Sequence, residues 1–247
     1  MVKGLAINFK SYGETIPQLL KVVGFDKEIK KHERIILKPT ISVEDGNEST
    51  RPEFVEEVLK YCMEHKNPGT EILIAEGCDG VDSIEEFGNK GYGKIAERYG
   101  VGLVDLNKAE TEEVENDKFL RFDTIHYPQI LLDSFVISLP LVRDDWETGF
   151  SGSLDGMLGA FPARHYKGFL SAKKNKIRKH DIKYSIHDIV ACKMPDFAIL
   201  DLSDKGKILA GNPLEMDKQV ARVMGFEMDK VPHIKLVDES FSEEKDN

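Results

Sequence analysis

Short apolar runs that alternate with helix signals constrain the fold of this 247-residue chain more than any other feature. Residues 34–38 and 135–139 are two such runs, and each is closed by a proline, as is typical of buried strands. Between such runs lie segments with apolar residues at helical spacing. Strands separated by helices favour parallel pairing with right-handed crossovers. The sequence therefore predicts an α/β fold, with a layered, mainly parallel sheet flanked by helices.

Two capping signals mark helix starts. Thr50 and Glu53 have the spacing of a capping box, so the sequence predicts a helix with Thr50 as its N-cap. Asn212 is a second predicted N-cap, because Pro213 occupies the first helical position and Glu215 follows two residues later. The remaining predictions are strands at residues 1–10, 71–75, 101–105 and 197–201 and a helix at residues 91–99.

Composition indicates one folded domain. Apolar residues make up 40% of the chain, which is ample for a packed core. The chain shows no internal repeat and no low-complexity linker, so we expect a single α/β domain over residues 1–236. The acidic residues at 237–247 are expected to form a flexible tail. The sequence gives no indication of oligomeric state.

Charge and hydropathy restrict the partners. The net charge of −10 argues against nucleic acid as a partner, because the phosphate backbone attracts cationic surfaces. No apolar run is long enough for a membrane span, so no membrane partner and a cytoplasmic location are expected. One basic run, residues 173–179, stands apart. It is expected to be a solvated loop, with a phosphate-binding edge as the alternative.

The three cysteines, Cys62, Cys78 and Cys192, form no C-x-x-C pair. Neither a zinc ribbon nor an iron–sulfur cluster within this chain is therefore expected. Cys62 and Cys192 fall on apolar faces of predicted helices and are expected to be core residues. Cys78 follows a predicted strand end and is the one thiol that is a candidate for chemistry.

The order and spacing of several segments resemble the DUF362 family. The segments are residues 133–159, 195–201 and 211–226, together with shorter stretches, so that the resemblance covers residues 34 to 236. The biochemical role of that family is largely undefined, so the resemblance implies a fold and a place for a site rather than a reaction. Many relatives carry ferredoxin-like cysteine clusters, which this chain lacks. Any redox role would then require a protein partner.

The chain departs from the family pattern at two places, after the second predicted strand and after the strand at residues 135–139. Where the family usually reads Lys-Pro-Asn, this chain has Lys38, Pro39 and Thr40. After the later strand, Arg143 and a leucine occupy places of family lysines, and aspartates replace a Thr-His pair and a lysine. The resemblance therefore implies that a cationic pocket has become mixed or acidic. Either the ligand is different, with a divalent metal as one candidate, or the family site has decayed.

Polar side chains follow the predicted strands, and the carboxyl ends of parallel strands are where α/β sheets bind ligands. Candidate residues for an anionic ligand are Lys38, Thr40, Arg143 and Arg164. Oxygen ligands for a divalent metal are expected from Asp144, Asp155, Asp201 and Asp217. His165 and Asp145 are the candidate catalytic residues.

Two functions remain open from the sequence. The first is an enzyme that binds a small anionic molecule or a divalent metal at the carboxyl ends of the strands. The alternative is a non-catalytic accessory or ligand-binding protein that acts with a redox partner. Aspartates that converge on one cleft would favour the enzyme. Dispersed aspartates, with the cleft closed by Trp146 and Phe150, would favour the accessory protein.

Overall fold

A seven-stranded sheet forms the centre of the computed structural model, which describes residues 4–43 and 48–242. The strands of the described residues are β1 (Gly4–Asn8), β2 (Arg34–Pro39), β3 (Glu71–Glu76), β4 (Gly102–Asp105), β5 (Thr111–Val114), β6 (Ile125–Pro128), β7 (Phe135–Leu139), β8 (Asp144–Asp145), β9 (Gly149–Phe150), β10 (Phe197–Leu202) and β11 (Lys207–Gly211).

Helices connect these strands. The α-helices are α1 (Tyr12–Val22), α2 (Phe25–Ile29), α3 (Pro52–His65), α4 (Ser83–Asn89), α5 (Tyr92–Tyr99), α6 (Gln129–Leu132), α7 (Ala163–Tyr166), α8 (Ile182–Cys192), α9 (Pro213–Met224) and α10 (Pro232–Ser242). Four 3-10 helices lie at Asp155–Ala160, Asn175–Arg178, Ser203–Lys205 and Met228–Lys230. In the part of the chain that the structure describes, no helix is long and apolar enough to cross a membrane.

The sheet has the strand order β1-β11-β10-β7-β2-β3-β4. The five strands from β10 to β4 pair in parallel, and β11 and β1 are antiparallel additions at one edge. Two small hairpins, β5-β6 and β8-β9, lie outside this sheet. The predicted α/β fold with a mainly parallel sheet is confirmed.

Both faces of the sheet are buried, which explains the continuous apolar runs. In β2, Ile36 points into one hydrophobic cluster, while Ile35 and Leu37 point into the other. Because successive side chains of a strand face opposite ways, one apolar run supplies both cores.

The two capping predictions have opposite outcomes. Asn212 caps α9, and its side chain accepts a hydrogen bond from the backbone N–H of Glu215 at 3.1 Å. The Thr50 prediction is wrong, because the N-cap of α3 is Arg51 and makes no side-chain cap. The Thr50 hydroxyl instead donates to the Leu139 carbonyl at 2.7 Å and thereby joins the start of α3 to the end of β7.

Residues 237–242 of the predicted acidic tail belong to the last helix. Helix α10 continues to Ser242, because Val237 is fully buried in the core. Ser240 also contacts α8, where its hydroxyl lies 2.8 Å from the His187 ring. Residues 243–247 of the predicted tail lie outside the described residues.

Candidate functional site

A cleft of about 180 Å³ opens at the carboxyl ends of β2 and β3, with the chain that follows β7 along one side. This position is the usual binding place in open α/β sheets. The 3-10 helix Asp155–Ala160 and residues 173–178 complete its walls. Its charged, polar and aromatic lining includes Thr40, Glu76, Asp79, Arg143, Asp145, Trp146, Asp155, Lys173, Lys174 and Arg178.

A buried ion pair lies at the base of the cleft. Lys38, at the end of β2, donates to Glu76 Oε2 and to the Gly156 carbonyl, both at 2.7 Å. Glu76 in turn accepts from the backbone N–H of Gly77 at 2.8 Å through its other oxygen. Lys38 is fully buried, so it does not extend from the sheet edge into water. Its charge is neutralised within the protein and holds the ends of β2 and β3 against the 3-10 helix.

Lys174 is a second buried cation, and sequence reasoning missed it. Its ammonium donates to the carbonyls of Gly77 at 2.7 Å and Gly159 at 3.2 Å. Only 1% of the residue is exposed, and this burial lowers its pKa to about 8. The prediction of a solvated loop is therefore wrong at this position. The signal was Ile177, the only large apolar residue in the run, which is buried in the 3-10 helix Asn175–Arg178 that directly follows Lys174.

Asp155 lines the cleft and has Asp217 close behind it. Asp155 Oδ1 accepts from the Gly152 N–H at 2.5 Å, while the fully buried Asp217 accepts from the N–H groups of Ser153 and Leu154. Burial raises the pKa of Asp155 to about 8, and the Asp217 carboxylate adds to this increase. Burial also raises the pKa of Asp217 to about 7. This increase favours the protonated form of Asp155 at neutral pH.

Three other predicted residues line the cleft. Arg143 donates to the Glu48 carbonyl at 3.2 Å and lies 3.8 Å from Asp145 Oδ2. Asp145 Oδ1 accepts from the N–H groups of Glu147 and Thr148 at 2.9 Å, so this carboxylate stabilises a turn. That role differs from the catalytic one predicted for it. Thr40 faces Gly156, with its hydroxyl 3.0 Å from the position that a Cβ there would occupy.

The other predicted catalytic residue, His165, does not line the cleft. Its ring stacks on His126 with centroids 3.9 Å apart, and partial burial lowers its pKa. Arg164 is exposed, and donates to the His165 ring at 3.1 Å and to Thr111 at 3.0 Å. The two residues form a separate cluster with His126 and Thr111, outside the lining of the cleft.

The four aspartates predicted to bind a metal do not converge. Asp144 is exposed on β8. Asp201 is buried beside α1, where it accepts from the Tyr12 hydroxyl at 2.6 Å and lies 3.5 Å from Arg51. Only Asp155 and Asp217 lie together. Within residues 4–43 and 48–242, no three carboxylate, thiol or imidazole side chains are grouped so that they could hold a metal ion.

The cleft carries both signs of charge at its rim. Arg178 contacts Asp79 at 3.1 Å and Glu147 at 3.4 Å. Trp146 is 86% exposed at the cleft and Phe150 lies in the core, so these two aromatic rings do not close it. Cys78 is buried, and burial raises the pKa of its thiol to about 12, so it is not a reactive nucleophile.

The fold and the cleft together define an α/β protein with a polar site at the carboxyl ends of its parallel strands. The model of the family described as Domain of unknown function (DUF362) matches residues 35–223, and the chain belongs to this family. No curated protein matches the chain in sequence.

Among solved structures, the fold is similar to that of the lactate racemase apoprotein from Thermoanaerobacterium thermosaccharolyticum. The TM-score is 0.54 at 11% sequence identity. The alignment covers 86% of this chain and 54% of the racemase chain, so this chain spans about half the length of that protein. At this identity the similarity concerns the fold alone.

Proposed function

We propose that the chain is an enzyme whose cleft binds a small molecule with a carboxylate or phosphate group, and that Asp155 and Lys174 exchange protons with it. One observation carries the proposal. Two titratable side chains, the partly buried Asp155 and the fully buried Lys174, line the same cleft, and desolvation moves both pKa values to about 8, from 3.8 for Asp155 and from 10.5 for Lys174. General acids and bases work best when their pKa lies near the working pH.

The chemistry follows from the protonation states. At neutral pH, Asp155 holds a proton that it can donate, and the Asp217 carboxyl behind it favours that protonated form. Lys174 is also protonated at neutral pH and can lose its proton slightly above pH 8. A ligand between the two groups would meet a neutral carboxylic acid, Asp155, and a cationic ammonium group, Lys174. This pair suits proton transfer to or from a carbon or oxygen next to a carboxylate.

The anionic group of the ligand would be bound at the rim. The contacts of Arg143 with Glu48 and Asp145 are long, so its guanidinium can turn toward an anion in the cleft. Guanidinium groups bind carboxylate and phosphate through paired hydrogen bonds. Thr40 offers a hydroxyl beside the same wall. A divalent metal is not part of this proposal, because the predicted aspartate ligands lie in separate places.

Trp146 provides the test, because it is the only tryptophan of the chain and lines the cleft. We would titrate the protein with inorganic phosphate and with a panel of small hydroxy and keto acids while following Trp146 fluorescence. We expect at least one compound to quench or shift the emission and to raise the melting temperature. The Arg143→Gln variant should weaken that binding about tenfold or more, the loss typical of a charged hydrogen bond.

The Asp155→Asn variant tests the acid–base role. Asp144→Asn is the matched control, because Asp144 is exposed on β8. The amide oxygen can still accept from Gly152, so the fold should persist. We expect binding by the wild type to change between pH 7 and pH 9, where both groups titrate, and Asp155→Asn to alter that profile while Asp144→Asn does not. Binding of no panel compound, or a profile identical in both variants, would contradict the proposal.

A non-catalytic accessory protein is the second candidate, and the paired charges of the cleft favour it. Arg178 already pairs with two carboxylates at the rim, those of Asp79 and Glu147. Such a site could hold a ligand for a partner without transforming it. Ligand binding that is insensitive to Asp155→Asn and to pH would support this function over the enzyme.

A further inference from the structure

A short loop presents two large apolar side chains to water. Phe169 is 100% exposed and Leu170 is 94% exposed, far more than most apolar side chains of the described residues. The loop is closed at its base, where the Gly168 N–H donates to the Lys173 carbonyl at 3.1 Å and the Lys173 N–H donates to the Ser171 hydroxyl. The two side chains therefore stand at the tip of a defined turn.

Basic residues surround this tip. Between Asp155 and Asp181 the sequence has seven Lys and Arg residues and no acidic residue, although the whole chain has a net charge of −10. We name residues 164–179 the basic segment. Apart from the buried Lys174, its cations are exposed: Arg164, Lys167, Lys173, Lys176, Arg178 and Lys179.

We propose that the basic segment docks on the surface of an anionic lipid bilayer, with Phe169 and Leu170 entering the headgroup region and the lysines contacting lipid phosphates. Exposed apolar residues flanked by lysines are the features that bind proteins to such surfaces. Two side chains offer too little area for a stable protein interface, which buries about 800 Å² on each partner. Their area is sufficient for insertion into the headgroup region of a bilayer. The positive charge of the basic segment complements an anionic surface. Docking of this kind needs no membrane-spanning helix.

Trp146 lies on the same side of the molecule. Its neighbour Glu147 contacts Arg178 of the basic segment at 3.4 Å, and Trp146, Lys173 and Arg178 all line the cleft. Tryptophan is enriched at membrane interfaces because it combines an apolar ring with a polar N–H. Docking through the basic segment would therefore bring the cleft close to the bilayer. The sequence predicts no membrane partner because it lacks a membrane-spanning segment. That argument concerns spanning helices and does not apply to binding at the membrane surface.

Co-sedimentation with vesicles tests this inference independently of any cleft ligand. Wild-type protein would be mixed at low salt with vesicles of phosphatidylcholine alone or of phosphatidylcholine with phosphatidylserine. We expect pelleting with the anionic vesicles only, and weaker pelleting as salt is added. Phe169→Ser combined with Leu170→Ser should reduce the affinity about tenfold or more, and Lys167→Gln combined with Lys179→Gln should do the same.

The control combines Val22→Ser and Val223→Ser, which removes two partly exposed apolar residues from α1 and α9. This variant should pellet as the wild type does. Absence of pelleting with anionic vesicles at low salt would overturn the inference. So would equal pelleting of wild type and Phe169→Ser/Leu170→Ser, which would indicate adsorption by charge alone. Binding to soluble poly-glutamate without binding to vesicles would also overturn the inference, and would indicate that the basic segment binds an acidic protein.

Discussion

At the scale of single residues, the pair of Lys38 and Glu76 dominates the base of the cleft. Both side chains are almost completely buried and lie 2.7 Å apart. Each charge is tolerated there because the other neutralises it and because backbone groups of Gly156 and Gly77 satisfy the remaining hydrogen bonds. Loss of one partner leaves an uncompensated charge in the protein interior.

Lys38→Met should therefore lower the free energy of unfolding by about 3–5 kcal/mol. Urea denaturation followed by circular dichroism would measure this loss. The double variant Lys38→Met/Glu76→Leu is the comparison, because it removes both charges and should recover part of the stability. A single variant as stable as the wild type, or a double variant less stable than the single one, would contradict this account of the pair.

At the scale of elements, the cleft depends on a close approach between the 3-10 helix Asp155–Ala160 and the end of β3. A Cβ on Gly159 would lie 1.8 Å from Glu76 Oε1 and 3.0 Å from the Lys38 ammonium. Only glycine fits there without displacing the buried ion pair.

Gly159→Ala should destabilise the protein by about 1–3 kcal/mol, the range for overpacked interiors. Gly88→Ala is the matched control in α4, where an added Cβ meets nothing within 4 Å. That variant should be neutral or more stable by up to about 1 kcal/mol, because alanine favours helices. Thermal unfolding of the two variants side by side measures the contrast, and equal melting temperatures would show that the helix can move away from β3.

The elements were largely predictable from sequence, whereas the site was predictable only in part. Runs such as residues 34–38 and 135–139 became central strands because burial on both faces requires continuous apolar residues. Lys174 escaped prediction because its hydrogen-bond partners, Gly77 and Gly159, are distant in sequence. Asp201 was predicted wrongly as a ligand of a converging site, because a carboxylate at a strand end looks the same in sequence whether it faces a cleft or the hydroxyl of a partly buried tyrosine, Tyr12.

At the scale of the whole molecule, the carboxyl of Asp155 links stability to pH. The pKa of Asp155 rises from 3.8 to about 8 on folding. Between about pH 4 and pH 8 the folded chain therefore holds a proton that the unfolded chain has released, so this group makes folding less favourable as the pH increases.

The Asp155→Asn variant lacks this titration. Its stability relative to the wild type should improve by on the order of a few kcal/mol between pH 4 and pH 8. Urea denaturation at several pH values would measure the difference, and Asp144→Asn should follow the wild-type curve. A constant difference across that range would mean that Asp155 is ionised in the folded protein.

The edge of the sheet has a consequence for how the chain is made. Within the described residues, β1 lies at the edge of the sheet and pairs with β11, so that Gly4 lies opposite Gly211 and Asn8 lies opposite Lys207. A ribosome that adds 5–20 residues per second needs roughly 10–40 s to pass from one strand to the other. Throughout that interval Leu5 and Ile7 have no neighbouring strand to cover them. Strand β1 therefore remains without its pairing partner until β11 has been synthesised, and chaperones that bind nascent apolar segments can reach it during that interval.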